Sequence, residues 1–552
     1  MRARFFLLLA VAVATAAHAA SGRHGMVAAE HQLASEAGVR ILRQGGNAVD
    51  AAVATSLAVG VVNPTSCGIG GGGFMLIFER ATGGVYALDY RETAPAAASR
   101  DMFVRDGKVV PELSLHSGLA VAVPGEVAGL FAALRRFGSI SFAAVAAPAI
   151  AYARDGFAVE PHLAEAIARQ LDAIRDRPAL AAILLHSDGT PLRAGETLHQ
   201  PALADTLEQI ARDGPRAFYE GRVAAAIVDS VRAADGVMSL ADLAAYQPIW
   251  RQPLATDFAG YRVYGMPAPS SGGVIISALN MLRADDLLAL ERESPTYLHL
   301  LTEALQFAFA DRAAFYGDPD FVRVPLRGLL APQRGRALRR RMSAATTFSP
   351  AFYGDHTLPD DAGTSHLSVV DGAGNAVAAT TSINTPFGAL IVADGTGIIL
   401  NDTMDDFSAQ PGAPNVFRLI GSEANAIAPR KRPLSSMTPT IVTRGGQVVA
   451  VAGASGGPLI ITGTLQVLLN ALVFGQDADA AVAAARIHTQ WMPPVLMVEP
   501  GIGANERWAL RRLGHRVVDA PGGASVQLVL RAADGRLEGA ADPRKGGVAV
   551  GW

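Results

Sequence analysis

Apolar and polar positions alternate along this chain in two manners. Residues 33–62 (LASEAGVRILRQGGNAVDAAVATSLAVGVV) predict two helices split by Gly45-Gly46. The second helix is almost wholly apolar and small, as in a buried, closely packed helix. The run Gly68-Ile69-Gly70-Gly71-Gly72-Gly73 leads into FMLIF, a strand pattern. Residues 119–138 (LAVAVPGEVAGLFAALRRFG) read as a strand, a Pro-Gly turn and an amphipathic helix. From Phe142 to about Ala245 the periodicity is Ala-rich and helical, broken at Gly156, Gly189 and Gly214. Ser270-Ser271-Gly272-Gly273 opens an apolar helix, with the serines read as its cap. Glu303 to Tyr316 is a further helix, stopped at Gly317-Asp318-Pro319. Residues 334–361, rich in Arg and then in Pro and Asp, read as a flexible tail.

Beyond that tail, short β-branched runs alternate with glycine turns. Leu367 to Val370 and Ala376 to Ile383 form a hairpin across Asp371-Gly372-Ala373-Gly374-Asn375. A strand from Gln447 to Val451 and a helix from Leu459 to Phe474 follow.

Half of the 552 residues are hydrophobic and 18% are charged, which calls for a packed globular protein. A net charge of -3 argues against a general nucleic-acid or anionic-membrane surface. Arg2 and Arg4 before the apolar run Phe5 to Val13, with Ala17-His18-Ala19 behind it, read as a secretory leader over 1–19. That run is too short to span a bilayer, so no membrane span is expected once it is removed. The expected compartment is the periplasm or the cell exterior. Cys67 is the only cysteine, so no intramolecular disulfide can form. The glycine run at 68–73 lacks the Lys-Ser/Thr of a phosphate loop and precedes a strand, so nucleotide binding is disfavoured. No HExxH or paired Cys/His spacing suggests a metal, and no cofactor is expected.

The candidate chemistry sits at the start of the hairpin. If the bond after Gly363 were cut, Thr364 would carry a hydroxyl and a free α-amine together. Such an amine titrates at roughly pH 7.7–8.0, so one residue would supply nucleophile and base. Glycine before it leaves the backbone unobstructed for the attack.

The segment Thr364-Ser365-His366-Leu367-Ser368-Val369-Val370-Asp371, then Gly374-Asn375-Ala376-Val377 and Ile383-Asn384-Thr385-Pro386-Phe387-Gly388, resembles the signature of the γ-glutamyltranspeptidases. The likeness extends to Asp89-Tyr90-Arg91-Glu92-Thr93-Ala94-Pro95, to the glycine run and to the segments at 266–273 and 303–320. It implies an α/β fold, a four-layer αββα sandwich of the N-terminal-nucleophile hydrolase type. Two fragments of one precursor would build it jointly: a large piece, 20–363, and a small piece, 364–552, cut between Gly363 and Thr364.

The resemblance also implies roles. Thr364 would form a γ-glutamyl-enzyme, released to water or to an amino acid or peptide acceptor, with glutathione as the foremost donor. Gly456 and Gly457 would offer an oxyanion hole at a helix N-terminus. Arg91, Ser435 and Ser436 would hold the α-carboxylate, and Asp406 and Asn384 the α-ammonium. Three positions depart from the pattern: Ser382 stands for a second threonine, Thr403 for a Gln or Glu near the α-amino group, and Phe417 for a lid tyrosine. His366 is read as a packing residue.

A cephalosporin (glutaryl) acylase of the same family is an alternative. Gly453-Ala454-Ser455-Gly456-Gly457 also fits G-x-S-x-G, which would suit an esterase using Ser455 with Asp477 or Asp479 and His488 or His515. A non-catalytic secreted binding protein is the third reading.

Overall fold

The computed structural model describes residues 19–282, 287–354, 364–410, 422–520 and 522–552. Gly363, the lid with Phe417, and all of the leader but Ala19 lie outside the described residues.

The strands of the two large sheets, in chain order, are β1 (Ala20–Gly22), β2 (Gly25–Ala29), β3 (Gly72–Glu79), β4 (Gly84–Tyr90), β5 (Ile249–Arg251), β6 (Leu254–Phe258) and β7 (Tyr261–Gly265). Past residue 364 come β8 (Ser365–Asp371), β9 (Ala376–Ser382), β10 (Thr440–Arg444), β11 (Gln447–Ser455), β12 (Ser525–Arg531), β13 (Leu537–Ala541) and β14 (Val548–Gly551). The helices used below are α1 (Gln32–Arg43), α2 (Ala48–Val62), α3 (Glu126–Phe137), α4 (Gly272–Leu282), α5 (Pro295–Phe315) and α6 (Leu459–Leu472).

These strands form two seven-stranded sheets, ordered β1-β13-β12-β11-β10-β7-β6 and β14-β2-β8-β9-β3-β4-β5. The β8–β9 hairpin is inserted between β2 and β3, so the strand that follows Thr364 is flanked by chain from well before it. In the other sheet, β10 to β13 are likewise flanked by β1 on one side and β7 and β6 on the other.

Strand alternation sends side chains to opposite faces. Met26, Phe74, Leu76, Phe78 and Ala378 of one sheet meet Ile441, Val451 and Val529 of the other in a shared core. On the opposite faces, Val27, Met75, Leu367 and Val377 pack with the apolar side chains of α1 and α2. Val263, Val442, Ala452 and Leu528 do the same with α4, α5 and α6. Burial on both faces explains why β8 and β9 are buried at every position despite their polar residues.

The two helices expected over 33–62 are α1 and α2. Gly45 (φ +91°) separates them, and Asn47 caps α2 by accepting from the N–H groups of Val49 and Asp50. Three expectations are corrected. Residues 119–123 are not a strand: a 3-10 turn at Gly118–Ala120 and a single bridge, Thr93 to Val123, replace it. The run has a single bridge and no ladder, and the amide side chain of Asn401 takes up the N–H and carbonyl of Ala122 instead. The expected flexible tail contains helices at Pro332–Arg339 and Pro350–Tyr353 as far as residue 354. Leu338, Met342 and Tyr353 are buried there, and Arg334 pairs with Asp311, so the arginines solvate one side of a packed segment. Ser270 and Ser271 do not cap α4: their hydroxyls donate to the carbonyls of Met437 and Ser435 at 2.7 and 2.6 Å.

Candidate active site

Thr364 immediately precedes β8, and Ser382 ends β9. Register pairing of Ser365 with Thr381 brings the two ends together. The hydroxyls of Thr364 and Ser382 lie 3.4 Å apart, and Ser382 Oγ accepts from the N–H of Asn384 at 2.8 Å. Asn384 has φ +80°, a left-handed conformation that asparagine tolerates better than most residues. Gly71 lets β3 close on this corner, since a Cβ there would stand 2.0 Å from the carbonyl oxygen of Ser382. The glycine run thus serves close backbone approach, not phosphate binding.

Thr364, Ser382, Asn384, Arg91, Asp406, Ser435, Ser436 and Gly457 line one small cleft with Met437 and Ile460. Eight of the sequence-derived positions therefore converge from elements far apart in the chain. Gly456 (φ +119°) and Gly457 (φ +45°) form the turn from β11 into α6, of which only Gly457 lines the cleft. Thr403 does not line it: its buried hydroxyl donates to Glu92 Oε1 at 2.9 Å. A larger cavity of about 630 Å³, bounded by Phe131, Tyr219 and Trp250, shares no lining residue with the cleft.

Charge in the cleft is paired. Arg91, almost fully buried, binds Asp406 and reaches Glu92 Oε2 at 3.4 Å. Burial pushes the carboxyl of Asp406 above its usual range, and Arg91 pulls it back. A guanidinium and a carboxylate facing each other suit a zwitterion, whose carboxylate and ammonium can each take one of them.

Sequence reasoning missed two residues here. Lys545 Nζ donates to the carbonyl of Thr364 at 2.8 Å and pairs with the buried Glu30 at 2.7 Å. Arg312 donates to the hydroxyls of Ser271 and Ser436 at 2.7 and 3.2 Å. Arg312 was visible only as one polar position in an apolar helix, and Lys545 only as a charge near the C-terminus. No local pattern ties either to position 364 or 436.

His366 is buried between Thr380 and Ser368, bonded to both hydroxyls, and its ring closely covers Gly453; it packs. The hydroxyl of Ser455 accepts from Lys545, while His488 bonds Thr462 and Gln490, and His515 bonds His299. Asp477 caps a short helix. The esterase constellation is therefore not assembled. Among the described residues His299, Glu303 and His515 bring metal-ligating atoms within 4.8 Å of one another. The 2.7 Å between their two ring nitrogens is a hydrogen-bond length, whereas two nitrogens on one tetrahedral ion stand about 3.3 Å apart.

Residues 34–552 match the gamma-glutamyltranspeptidase family. The glutathione hydrolase proenzyme of Escherichia coli (strain K12) is 42% identical over 531 residues, covering 96% of this chain and 91% of its own. Among solved structures, a cephalosporin acylase from Bacillus halodurans superposes with a TM-score of 0.87 at 28% identity, covering 100% of this chain and 99% of its own. A Helicobacter pylori gamma-glutamyltranspeptidase chain gives 0.57 at 36% identity, covering 58% of this chain and 91% of its own.

Fold and site together define an enzyme of the N-terminal-nucleophile hydrolase class. The chain belongs to the gamma-glutamyltranspeptidase family, whose work is hydrolysis and transfer in glutathione metabolism. Among the described residues no helix is long and apolar enough to cross a membrane.

Proposed function

We propose a self-processing γ-glutamyltransferase and glutathione hydrolase that uses Thr364 as an N-terminal nucleophile. In the precursor, Thr364 Oγ attacks the carbonyl of Gly363; the C–N bond breaks, an ester forms, and water opens it. The freed α-amine then takes the hydroxyl proton while Oγ attacks the γ-amide carbon of the donor. The N–H groups of Gly456 and Gly457 stabilise the oxyanion, and the leaving amine departs with the proton. Water or an acceptor amino acid or peptide then opens the γ-glutamyl ester.

The observation that carries this reading is one cleft holding the Thr364–Ser382 hydroxyl pair beside the Arg91–Asp406 ion pair. Arg91, Ser435 and Ser436 take the substrate's α-carboxylate, and Asp406 and Asn384 its α-ammonium. Thr403 acts through Glu92, binding its Oε1 while the other carboxylate oxygen, Oε2, faces Arg91.

Two pieces, 20–363 and 364–552, form a heterodimer in a four-layer αββα sandwich. Interleaving of β8 and β9 between β2 and β3 supports this, because such pieces stay joined by strand pairing after the cut. The Helicobacter pylori chain, nine-tenths of which matches little more than half of this one, is of the size expected for the larger piece. The leader over 1–19 directs the protein to the periplasm or the exterior.

A denaturing gel with N-terminal sequencing tests the reading. The wild type gives two fragments, one beginning at Thr364, and turns over a γ-glutamyl anilide; Thr364→Ala gives one inactive chain. An active wild type that stays a single chain overturns it. A glutaryl acylase is the second reading, favoured by the full-length likeness to the cephalosporin acylase. Asp406 weighs against it, since a glutaryl group has no ammonium for that carboxylate.

A further inference from the structure

Arg312 lies in α5, almost fully buried, with no solvent to share its charge. Nε donates to Ser271 Oγ at 2.7 Å, and Ser271 in turn donates to the carbonyl of Ser435 at 2.6 Å. The terminal NH2 group donates to Ser436 Oγ at 3.2 Å. Guanidinium has five donors and no acceptor, so each hydroxyl it touches must accept. Ser271 spends its proton on Ser435. The proton of Ser436 is left to point elsewhere, and the cleft is the space that Ser436 lines. The same cation faces Asp406 electrostatically, although burial lowers its own pKa to about 10.

We infer that Arg312 is a positioning residue that fixes Ser436 as a hydrogen-bond donor to the substrate's carboxylate and holds Ser435 in register through Ser271. The inference rests on the γ-glutamyl reading and deepens it. Selectivity for donors with a free α-carboxylate depends on a second guanidinium behind the serine pair, as well as on Arg91. In the free enzyme a serine hydroxyl rotates at little cost; the guanidinium removes that freedom before substrate arrives.

The test compares a γ-glutamyl anilide with its α-carboxamide derivative, which keeps the ammonium and scissile bond but loses the anionic carboxylate. For the wild type, kcat/KM favours the free acid. Arg312→Met is expected to shrink that preference by about tenfold to a hundredfold, the range for one hydrogen bond to a charged group, mainly through KM. Combined with Ser436→Ala, the loss is expected to be less than additive. A merely structural Arg312 would depress both substrates alike and leave the ratio intact, which overturns the inference while sparing the functional reading.

Should Arg312→Met fail to fold, as judged by circular dichroism, Ser271→Ala decides. It removes the brace without burying a new charge and is expected to cut the same preference several-fold. An unchanged ratio there overturns the inference. A wild type inactive on both anilides ends the functional reading and this inference together.

Discussion

The ammonium of Lys545, seven residues before Trp552, donates to the carbonyl oxygen of Thr364 at 2.8 Å and pairs with Glu30 Oε2 at 2.7 Å. It also donates to Ser66 and Ser455 at 3.1 and 3.3 Å. The residue proposed to begin the small piece is thereby tied to β11, to the chain near β2, and to the turn after α2. Glu30 is fully buried, so removing its partner strands a charge. Lys545→Met is expected to cost about 3 kcal/mol or more of stability. Adding Glu30→Gln should recover much of it, measured by denaturant unfolding. A double variant no more stable than the single one contradicts this pairing.

Ser382 accepts from the N–H of Asn384 and stands 3.4 Å from the Thr364 hydroxyl. Ser382→Ala leaves that buried N–H without its acceptor, at about 1–3 kcal/mol. It also removes a hydroxyl 3.4 Å from that of the nucleophile. We expect kcat to fall roughly tenfold to a hundredfold, with Ser382→Thr restoring it because the hydroxyl returns. Full activity in the alanine variant, by steady-state kinetics, would contradict the assignment.

Buried imidazoles make the protein acid-sensitive. An unfolded histidine takes a proton below about pH 6.5, but burial holds His515 and His366 neutral down to about pH 3. Between those values the unfolded chain binds more protons, so stability falls as pH falls. Glu126 opposes this: burial lifts its carboxyl to about 7, so its contribution weakens as pH rises from 4.5 to 7. The difference in unfolding midpoint between pH 7.5 and pH 4.5 should shrink in His515→Asn. An equal difference in variant and wild type would show that His515 does not carry the effect.

The hairpin was legible because β-branched alternation and an Asp-Gly-Ala-Gly-Asn turn are local signals, and β8 and β9 begin and end within about two residues of expectation. Helices α1 and α2 were legible for the same reason, an apolar period broken at Gly45-Gly46. The cleft residues came from resemblance, not from spacing: Arg91 and Asp406 are 315 positions apart, and nothing local says they pair. Thr403 shows the limit of position-by-position transfer. A side chain shorter than the family's usual one makes its contact with Glu92, a neighbour of Arg91. Arg312 and Ser271 stayed hidden because a charge in an apolar helix and a serine in a turn acquire meaning only through Ser435 and Ser436. The tail before residue 355 misled because its arginines read as solvated chain while Leu338, Met342 and Tyr353 supply a buried face.

Asp406 separates the two acylase readings. Its carboxylate is held by Arg91, and burial raises its pKa, so its charge depends on cationic neighbours. A γ-glutamyl donor brings an ammonium that can share this carboxylate, whereas a glutaryl donor presents only a methylene there. Asp406→Asn keeps the shape and removes the charge. For a γ-glutamyl anilide we expect kcat/KM to fall about a hundredfold or more, since one member of a buried charge pair is lost. For a glutaryl anilide the fall should be several times smaller, because no ammonium is involved. The ratio of the two substrates is the measurement, as it cancels any general damage to the fold. If both fall equally, Asp406 serves only to hold Arg91, and specificity for an α-amino donor must come from Asn384 or from Glu92 with Thr403.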